Sequence, residues 1–313
     1  MKRILSGAVA LSTTCYLLIT VFLCGCQNKP LYQETRVLMG TFVKVTSNSA
    51  SAAGIAFKEM QRVADLLSKY KSDSEISVLN RTGKLKASPE TYYIIKKAEE
   101  FWRLSGGAFD ITVGPLMDLW GFTDKKYRIP QKEEIQKTLA RIGFDKIIFH
   151  EADNVIEFKI SGMRLDLGAI AKGYAVDCAV KKLKEKGITS CLINAGGQIY
   201  CLGDNYGRPW KVAIRNPRGK GVFRYLELSN KAVATSGDYE QFFVSAAKRY
   251  AHIIDPKTGY PVESGLISVT IVADSGLDCD ALSTAVFVLG KEKGDILTER
   301  FPGVAAIIIE DKN

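Results

Sequence analysis

The sequence predicts an α+β protein in which helices pack on a largely antiparallel mixed sheet. Amphipathic segments with apolar residues every three or four positions alternate with short apolar runs, which indicates helices and strands in one core. Most neighbouring runs in the second half are joined closely enough to pair antiparallel. These strands are expected near residues 188, 198, 211, 223, 232, 250 and 266.

One strand and three helices are expected in the first half. Residues 34–47 are predicted to form a strand, and a helix over 51–71 follows it. The apolar residues of that helix share one stripe, made of Ala56, Met60, Val63, Leu67 and Tyr70. A second helix begins at Ser88-Pro89-Glu90, a typical helix start, and ends at Gly106. A third is expected over 131–142.

The next elements are a hairpin over 146–160, a helix over 168–186 and a last helix over 278–290. The hairpin is expected to turn at Asp153-Asn154, since both residue types favour turns. No repeat or low-complexity linker interrupts residues 34–313, so we expect one domain there.

The N-terminus predicts export. Lys2 and Arg3 precede an apolar run that ends in Leu23-Cys24-Gly25-Cys26. This pattern is typical of a lipoprotein signal peptide over residues 1–25, with Cys26 as the lipidated residue and 26–33 as a tether. An uncleaved membrane anchor is the alternative, because the run is about long enough to span a bilayer. We expect a protein that is lipid-anchored to the bacterial cell membrane, on its periplasmic or outer face.

Charge and cysteine content narrow the function further. The chain has 43 Lys and Arg against 34 Asp and Glu, and loss of residues 1–25 would leave 41 against 34, a net charge of +7. This excess fits a phosphorylated cofactor or an anionic membrane surface, but no basic block predicts nucleic acid as a partner. Cys191 and Cys201 either face each other across a hairpin or, as we favour, are small apolar residues.

Two glycine-containing segments combine backbone freedom with polar side chains. Residues 105–110, Ser-Gly-Gly-Ala-Phe-Asp, follow a helix and can approach a planar ligand closely. A helix C-cap explains Gly106 but not the rest. Residues 165–175 run from an apolar strand through a glycine into a helix, whose free N–H groups favour an anion, with Lys172 one turn further in. A solvent-facing Lys172 is the alternative, since no dinucleotide or P-loop spacing is present.

Two further segments carry metal-binding and proton-accepting groups. Asp280 and Thr284 are four residues apart in a helical stretch, so their oxygens can share one hard cation, with magnesium favoured over zinc. Asp278 is expected to cap that helix, and a first-turn acid is the alternative role for Asp280. His252 can accept a proton near neutral pH, with packing as its alternative role. The second histidine, His150, is expected to be structural.

Nine short segments follow one another in a fixed order along most of the chain. They are Met39-Gly40-Thr41; Ser68-Lys69-Tyr70 with Ser74 and Asn80; Gly107 to Leu116; Trp120-Gly121-Phe122; Asp166 to Asp177; Asn194 to Gly197; Thr235-Ser236-Gly237; His252 to Gly259; and Asp280 to Thr284. In register from about Thr35 to Gly290, they resemble the ApbE family of FAD:protein FMN transferases, bacterial enzymes that are commonly lipoproteins. The resemblance implies that residues 34–313 form an ApbE-like, FAD-binding flavin transferase domain.

The resemblance also implies the site residues. The expected FAD contacts are Met39, Tyr70, Ala108, Phe109, Asp110, Asp166, Lys172 and Ile254. Magnesium would be held by the Asp280 carboxylate, the Thr284 hydroxyl and the main-chain oxygen of Ala169. Some relatives carry an acid where this chain has Ser283, which leaves the number of side-chain ligands open.

The implied reaction is attack of an acceptor threonine hydroxyl on the FMN-side phosphorus of FAD, with AMP leaving. Asp280 and His252 are the expected catalytic residues, His252 as the base, with Asp255 or Asp110 as alternatives. The expected partners are FAD and a flavoprotein of membrane electron transport. Hydrolysis of FAD to FMN and AMP, and flavin binding without catalysis, remain alternatives.

Overall fold

Two strands, rather than one, occupy the first predicted element. In the computed structural model, which describes residues 30–311, they are β1 (Tyr32–Leu38) and β2 (Thr41–Ser47). Met39 and Gly40 form a two-residue turn with φ of 51° and 72°. Positive φ at both central residues is the type I′ geometry that joins antiparallel strands. The single strand predicted over 34–47 was wrong, because a methionine at the first turn position gives no turn signal.

The first predicted helix is present but shorter than expected. Helix α1 spans Ala52–Leu67 and buries Ala56, Met60, Val63 and Leu67 as one stripe. Tyr70 lies beyond the helix end and is 71% exposed, so its place on the buried stripe was wrong.

Seven more helices and twelve more strands complete the described part of the chain. The helices are α2 (Glu75–Thr82), α3 (Pro89–Leu104), α4 (Gly114–Leu119), α5 (Lys132–Leu139), α6 (Ala171–Glu185), α7 (Gly276–Leu289) and α8 (Lys291–Thr298). The strands are β3 (Lys84–Lys86), β4 (Ile147–His150), β5 (Val155–Phe158), β6 (Cys191–Ala195), β7 (Gln198–Leu202), β8 (Trp210–Arg215), β9 (Val222–Leu228), β10 (Lys231–Gly237), β11 (Phe242–Ser245), β12 (Lys248–Ala251), β13 (Leu266–Ala273) and β14 (Ala305–Glu310).

The structure confirms several predicted boundaries and corrects others. Ser88 caps α3 by accepting the N–H of Thr91, and Gly106 follows its end with φ of 60°. The hairpin of β4 and β5 turns through Asn154, also as predicted. The sequence did not predict α2, α4, α8 or β14, and α7 is therefore not the last helix.

A seven-stranded antiparallel sheet in the order β1-β2-β6-β7-β10-β13-β14 forms the centre of the fold. Helices α1, α6 and α7 bury one of its faces, and the β8–β9 ribbon packs on the other around Trp210. The fold class predicted from the sequence is confirmed. Cys191 and Cys201 are free thiols in neighbouring strands. Cys191 pairs with Leu202, and Cys201 with Leu192, so the two thiols point to opposite sheet faces and the apolar alternative was right.

From Leu31 onward the described chain forms one compact unit. The predicted signal peptide over 1–25 and the lipidation site Cys26 lie outside the described residues, as does most of the tether over 26–33. Within residues 30–311, no helix has the length and apolar character needed to cross a bilayer.

Candidate functional site

Two helices with opposite directions cap each other at the centre of the site. The Asp177 carboxylate in α6 accepts the N–H groups of Gly276 and Leu277 at 2.7 and 2.9 Å, at the start of α7. In return, Asp280 Oδ2 in α7 accepts the N–H of Gly173, at the start of α6, at 2.9 Å. Each carboxylate meets the positive end of the other helix dipole, which fixes the helices relative to each other.

Glycine makes this approach possible. A Cβ on Gly173 would lie 2.2 Å from the carbonyl oxygen of Gly276 and 2.8 Å from Cβ of Asp280. No side chain fits at that separation, so Gly173 is the reason that the Asp280 carboxylate reaches the N-terminus of α6.

This arrangement corrects the predicted anion site. We expected free N–H groups at the start of this helix to hold phosphate, but the N–H of Gly173 is bonded to Asp280. Helix α6 begins at Ala171, so Lys172 lies in its first turn rather than one turn further in. Its Nζ donates to the carbonyl oxygen of Gly168 at 2.9 Å. Contact between the Lys172 ammonium and a phosphate therefore stays a prediction.

Asp280 is a buried carboxylate that forms no ion pair in the part of the chain that the structure describes. It is 7% exposed, and within residues 30–311 no Lys, Arg or His nitrogen lies within ion-pair distance of it. Burial raises the pKa of Asp280, and the nearby charge of Lys172 and the N–H of Gly173 oppose that rise. A buried carboxylate whose charge is only partly compensated is costly, so a bound cation at this position would stabilise it.

Hydroxyl groups next to Asp280 complete an oxygen-rich surface. Ser236 Oγ, from β10, lies 2.8 Å from Ser283 Oγ and 3.2 Å from Thr284 Oγ1. Ser283 Oγ also donates to the Asp280 carbonyl oxygen at 3.0 Å. The structure thus brings Asp280 and Thr284 together on one face of α7, as their spacing predicted. The cap of α7 is Ser275 rather than Asp278, because the Ser275 hydroxyl accepts the N–H of Asp278.

The oxygen donors fit a hard divalent cation. A carboxylate and a hydroxyl lie on the same face of α7, and Ala169 is half-buried in the turn immediately before α6. These are the ligand types that magnesium prefers. Among residues 30–311 no group of three or more His, Cys, Asp and Glu side chains is placed to hold a metal ion.

His252 is neutral and oriented by the backbone. Its Nδ1 lies 3.1 Å from the Gln241 carbonyl oxygen, which also accepts the His252 N–H. Burial lowers the pKa of His252 to about 4; the bond to Gln241 and the charge of Asp166 oppose this, whereas the charge of Lys172 adds to it. With Nδ1 as the donor, Nε2 carries a lone pair that can accept a proton.

Asp166 is held in an ion pair. Its Oδ2 lies 2.6 Å from Lys69 Nζ, and its Oδ1 accepts the N–H of Gly168 at 2.9 Å. Asp166 and Lys172 both influence the pKa of His252, and Lys172 also influences that of Asp280. The charges of these predicted site residues therefore act on one another, so Asp166, Lys172, His252 and Asp280 belong to one cluster.

The predicted flavin contacts in the loop after α3 are buried. Asp110 is buried, and its Oδ1 accepts both the N–H and the hydroxyl of Thr112 at 2.8 and 2.6 Å. Burial raises the pKa of Asp110 to about 6. Phe109 is 1% exposed and packs edge-on against Phe101. A flavin contact at Phe109 would therefore come from its main chain, and the contacts expected of Ala108, Phe109 and Asp110 stay predictions.

The other expected flavin contacts differ in exposure. Tyr70 is exposed, Met39 is half-buried at the β1–β2 turn, and Ile254 is buried against Trp120 and its neighbours. Gly107 has φ of 85°, and a Cβ at this position would lie 3.8 Å from Cε of Lys257. The loop after α3 and the segment after His252 are thus adjacent.

Sequence reasoning did not assign three residues that support this site. Lys69 and Ser236 bond to the predicted site residues Asp166 and Thr284, and Asp177 caps the start of α7, the helix that carries Asp280. All three lie inside the nine segments that carry the family resemblance, so the sequence does mark these positions. Their partners are distant in the chain, and only the folded structure identifies them.

Comparison with known proteins gives a consistent result. The model of the ApbE family matches residues 39–308. The FAD:protein FMN transferase of Haemophilus influenzae is 32% identical, over 100% of this chain and 95% of that protein. Among solved structures, the ApbE protein from Thermotoga maritima is 36% identical with a TM-score of 0.84, over 90% of this chain and 95% of that one. The flavin transferase ApbE from Vibrio cholerae is 31% identical with a TM-score of 0.80, over 91% and 95%.

Proposed function

The chain belongs to the ApbE family and is an FAD:protein FMN transferase, and we propose that it moves FMN to a threonine of its acceptor in a magnesium-dependent reaction. The observation that carries the proposal is the buried Asp280 carboxylate, which forms no ion pair among residues 30–311 although the charge of Lys172 acts on it. A cation and an ammonium at this point suit a substrate that carries a diphosphate.

The cation would be held by the Asp280 carboxylate, the Thr284 hydroxyl and the main-chain oxygen of Ala169. When bound, magnesium supplies compensation for negative charge on the diphosphate, which is the main requirement of phosphoryl transfer. Ser236 keeps the Thr284 hydroxyl in place at 3.2 Å. Lys172 adds a second positive charge next to the diphosphate.

Proton transfer falls to His252. The acceptor hydroxyl oxygen forms a bond to the FMN-side phosphorus while the bond from that phosphorus to the bridging oxygen breaks, and AMP leaves with the bridging oxygen. The hydroxyl proton goes to Nε2 of His252, because Nδ1 faces the Gln241 carbonyl oxygen. A low pKa keeps this imidazole neutral at physiological pH, so the lone pair of Nε2 is not already protonated.

The flavin and adenine portions would contact the residues around this centre. We assign flavin-dinucleotide contacts to Met39, Tyr70, Ala108, Phe109, Asp110, Asp166, Lys172 and Ile254. Lys69 Nζ lies over one face of the Tyr70 ring, 5.1 Å from its centre, and the side chain is exposed, so the other face can stack against a planar ligand.

Mass spectrometry of an acceptor tests the reaction. The protein is incubated with FAD, magnesium and a purified flavoprotein subunit of a membrane electron-transport complex that carries an exposed threonine, with a Thr→Ala form as the control. An FMN adduct on the threonine form alone supports the proposal. Free FMN without an adduct would instead indicate hydrolysis, and intact FAD would indicate binding without chemistry.

Two substitutions of Asp280 separate its charge from its role as a helix cap. Asp280→Asn keeps an oxygen that can accept the N–H of Gly173 and should remain folded, whereas Asp280→Ala removes this cap as well. We expect both variants to lose transfer activity. Full activity of a folded Asp280→Asn protein at ordinary magnesium concentration would contradict the metal assignment.

The proposal includes the cellular setting. The sequence pattern before Cys26 supports export and lipid anchoring. A membrane anchor would place the enzyme next to membrane-bound flavoprotein acceptors, which are exported substrates of the same compartment.

A further inference from the structure

Lys69 makes the most sheltered ion pair of the described residues 30–311. The Lys69 and Asp166 side chains are only 13% and 14% exposed, and Nζ lies 2.6 Å from Oδ2. Nζ also donates to Thr123 Oγ1 at 3.1 Å, so two acceptors fix its position. An ion pair that is shielded from solvent, and whose ammonium donates to two acceptors, is stronger than the surface ion pairs of this protein.

The ion pair connects to the site through a short chain of contacts. The second oxygen of Asp166 accepts the N–H of Gly168, and the carbonyl oxygen of Gly168 accepts Nζ of Lys172 at 2.9 Å. The N–H of Asp166 donates to the Ile111 carbonyl oxygen at 2.7 Å, which anchors the backbone at this point. Lys69 therefore restrains the turn that holds Lys172.

The charges that face His252 come from both ends of this chain of contacts. Lys172 in α6 and Asp166 before α6 act on the imidazole with opposite signs. Lys172 in turn acts on Asp280 in α7 and on Glu240 after β10. Lys69 offsets the negative charge of Asp166 directly, so its removal would change the balance of charge at His252.

We propose that Lys69 is a positioning residue of the transfer reaction, which holds Asp166 and the 168–172 turn in the geometry that places Lys172 against the diphosphate of FAD. The proposal rests on the function proposed above. It assigns Lys69 no contact with the reacting atoms. Its effect on the reaction passes through Asp166 and Lys172.

FAD affinity is the first measurement. Lys69→Met keeps the length of the side chain and removes its charge. We expect it to bind FAD about tenfold more weakly by flavin fluorescence titration, since charge-assisted hydrogen bonds contribute effects of about this size. Lys69→Arg restores the charge and should bind within about threefold of the wild-type protein. Lys71→Met is the matched control, because Lys71 is half exposed and pairs only with surface acids.

The pH profile of AMP release from FAD in the presence of the acceptor is the second measurement, and a purely structural residue would not move it. In Lys69→Met the uncovered charge of Asp166 favours protonated His252, so the acid limb should move to higher pH. The double variant Lys69→Met/Asp166→Asn removes that charge and should return the limb towards its original position, although FAD still binds weakly.

The two measurements distinguish this proposal from the function itself. If wild-type protein incubated with FAD, magnesium and acceptor releases no AMP and forms no adduct, the proposed function fails, while the FAD affinities of the variants still test Lys69. The Lys69 proposal is overturned if folded Lys69→Met protein, checked by thermal unfolding, binds FAD like the wild type. It is also overturned if the double variant leaves a displaced acid limb unchanged.

Discussion

Asp110 and Asp280 are buried carboxylates with different partners. Asp280 meets a helix N-terminus beside Lys172, whereas Asp110 is bonded to the N–H and hydroxyl of Thr112. Burial raises the pKa of both. Ser283 and Thr284 add hydroxyl groups near Asp280 on α7, which are the surroundings that the proposed cation site requires.

The raised pKa of Asp110 predicts a pH-dependent gain in stability for Asp110→Asn. The folded-state pKa is about 6 against an ordinary 3.8, so ionisation above pH 6 costs the folded wild-type protein stability. At about 1.4 kcal/mol per unit, the asparagine variant should gain up to about 3 kcal/mol of unfolding free energy near pH 8. Near pH 3.5 both forms are neutral and the gain should vanish. Urea unfolding at the two pH values checks this, and an equal gain at both would contradict it.

At the scale of elements, the meeting of α6 and α7 determines the site geometry. Asp177 and Asp280 cap the opposite helices, and Gly173 lets the backbones approach. The contact joins two segments that are about 100 residues apart in the chain. Small changes at the contact should therefore affect the site as a whole.

A pair of glycine substitutions isolates this contact. Gly173→Ala places a Cβ 2.2 Å from the Gly276 oxygen, so the helices must separate; we expect a loss of about 1–3 kcal/mol in unfolding free energy and weaker magnesium-dependent turnover. Gly54→Ala is the control, because Gly54 is an exposed residue of α1 and a Cβ there would meet no other part of the chain within 4 Å. It should gain up to about 1 kcal/mol from helix propensity. Similar losses in both variants would show that helix packing at Gly173 is not the cause.

The sequence predicted periodic elements better than local geometry. The stripe of α1 was visible because Ala56, Met60, Val63 and Leu67 repeat at helical spacing, but the periodicity continued by chance to the exposed Tyr70. The Asp280 and Thr284 pair was likewise readable from spacing within one helix. The contact of Asp280 with Gly173 was not, because it depends on packing between residues 107 positions apart. Long-range pairing sets the site, and a single sequence carries little information about it.

At the scale of the whole molecule, one large sheet brings distant segments to the site. Strand β10 and helix α7 supply hydroxyl groups there, and the turn before α6 holds the Lys172 side chain. The segment after β12 supplies His252. The β1–β2 hairpin, which carries Met39, occupies an edge of the same sheet. Because β1 begins at Tyr32, only five residues separate it from the predicted lipidation site at Cys26.

This short connection predicts how anchoring affects function. Five to six extended residues span at most about 20 Å, so lipidation of Cys26 would keep the domain close to the membrane surface. Cys26→Ser should move the protein from the membrane to the soluble fraction of fractionated cells, with unchanged FMN transfer to a soluble acceptor fragment. Transfer to a membrane-embedded acceptor in vesicles should be slower, because the effective concentration of enzyme at the surface is lost. Metabolic labelling with a radioactive fatty acid provides the control. Label in the wild type but not in Cys26→Ser is expected, and equal labelling, or membrane association without Cys26, would contradict the anchor.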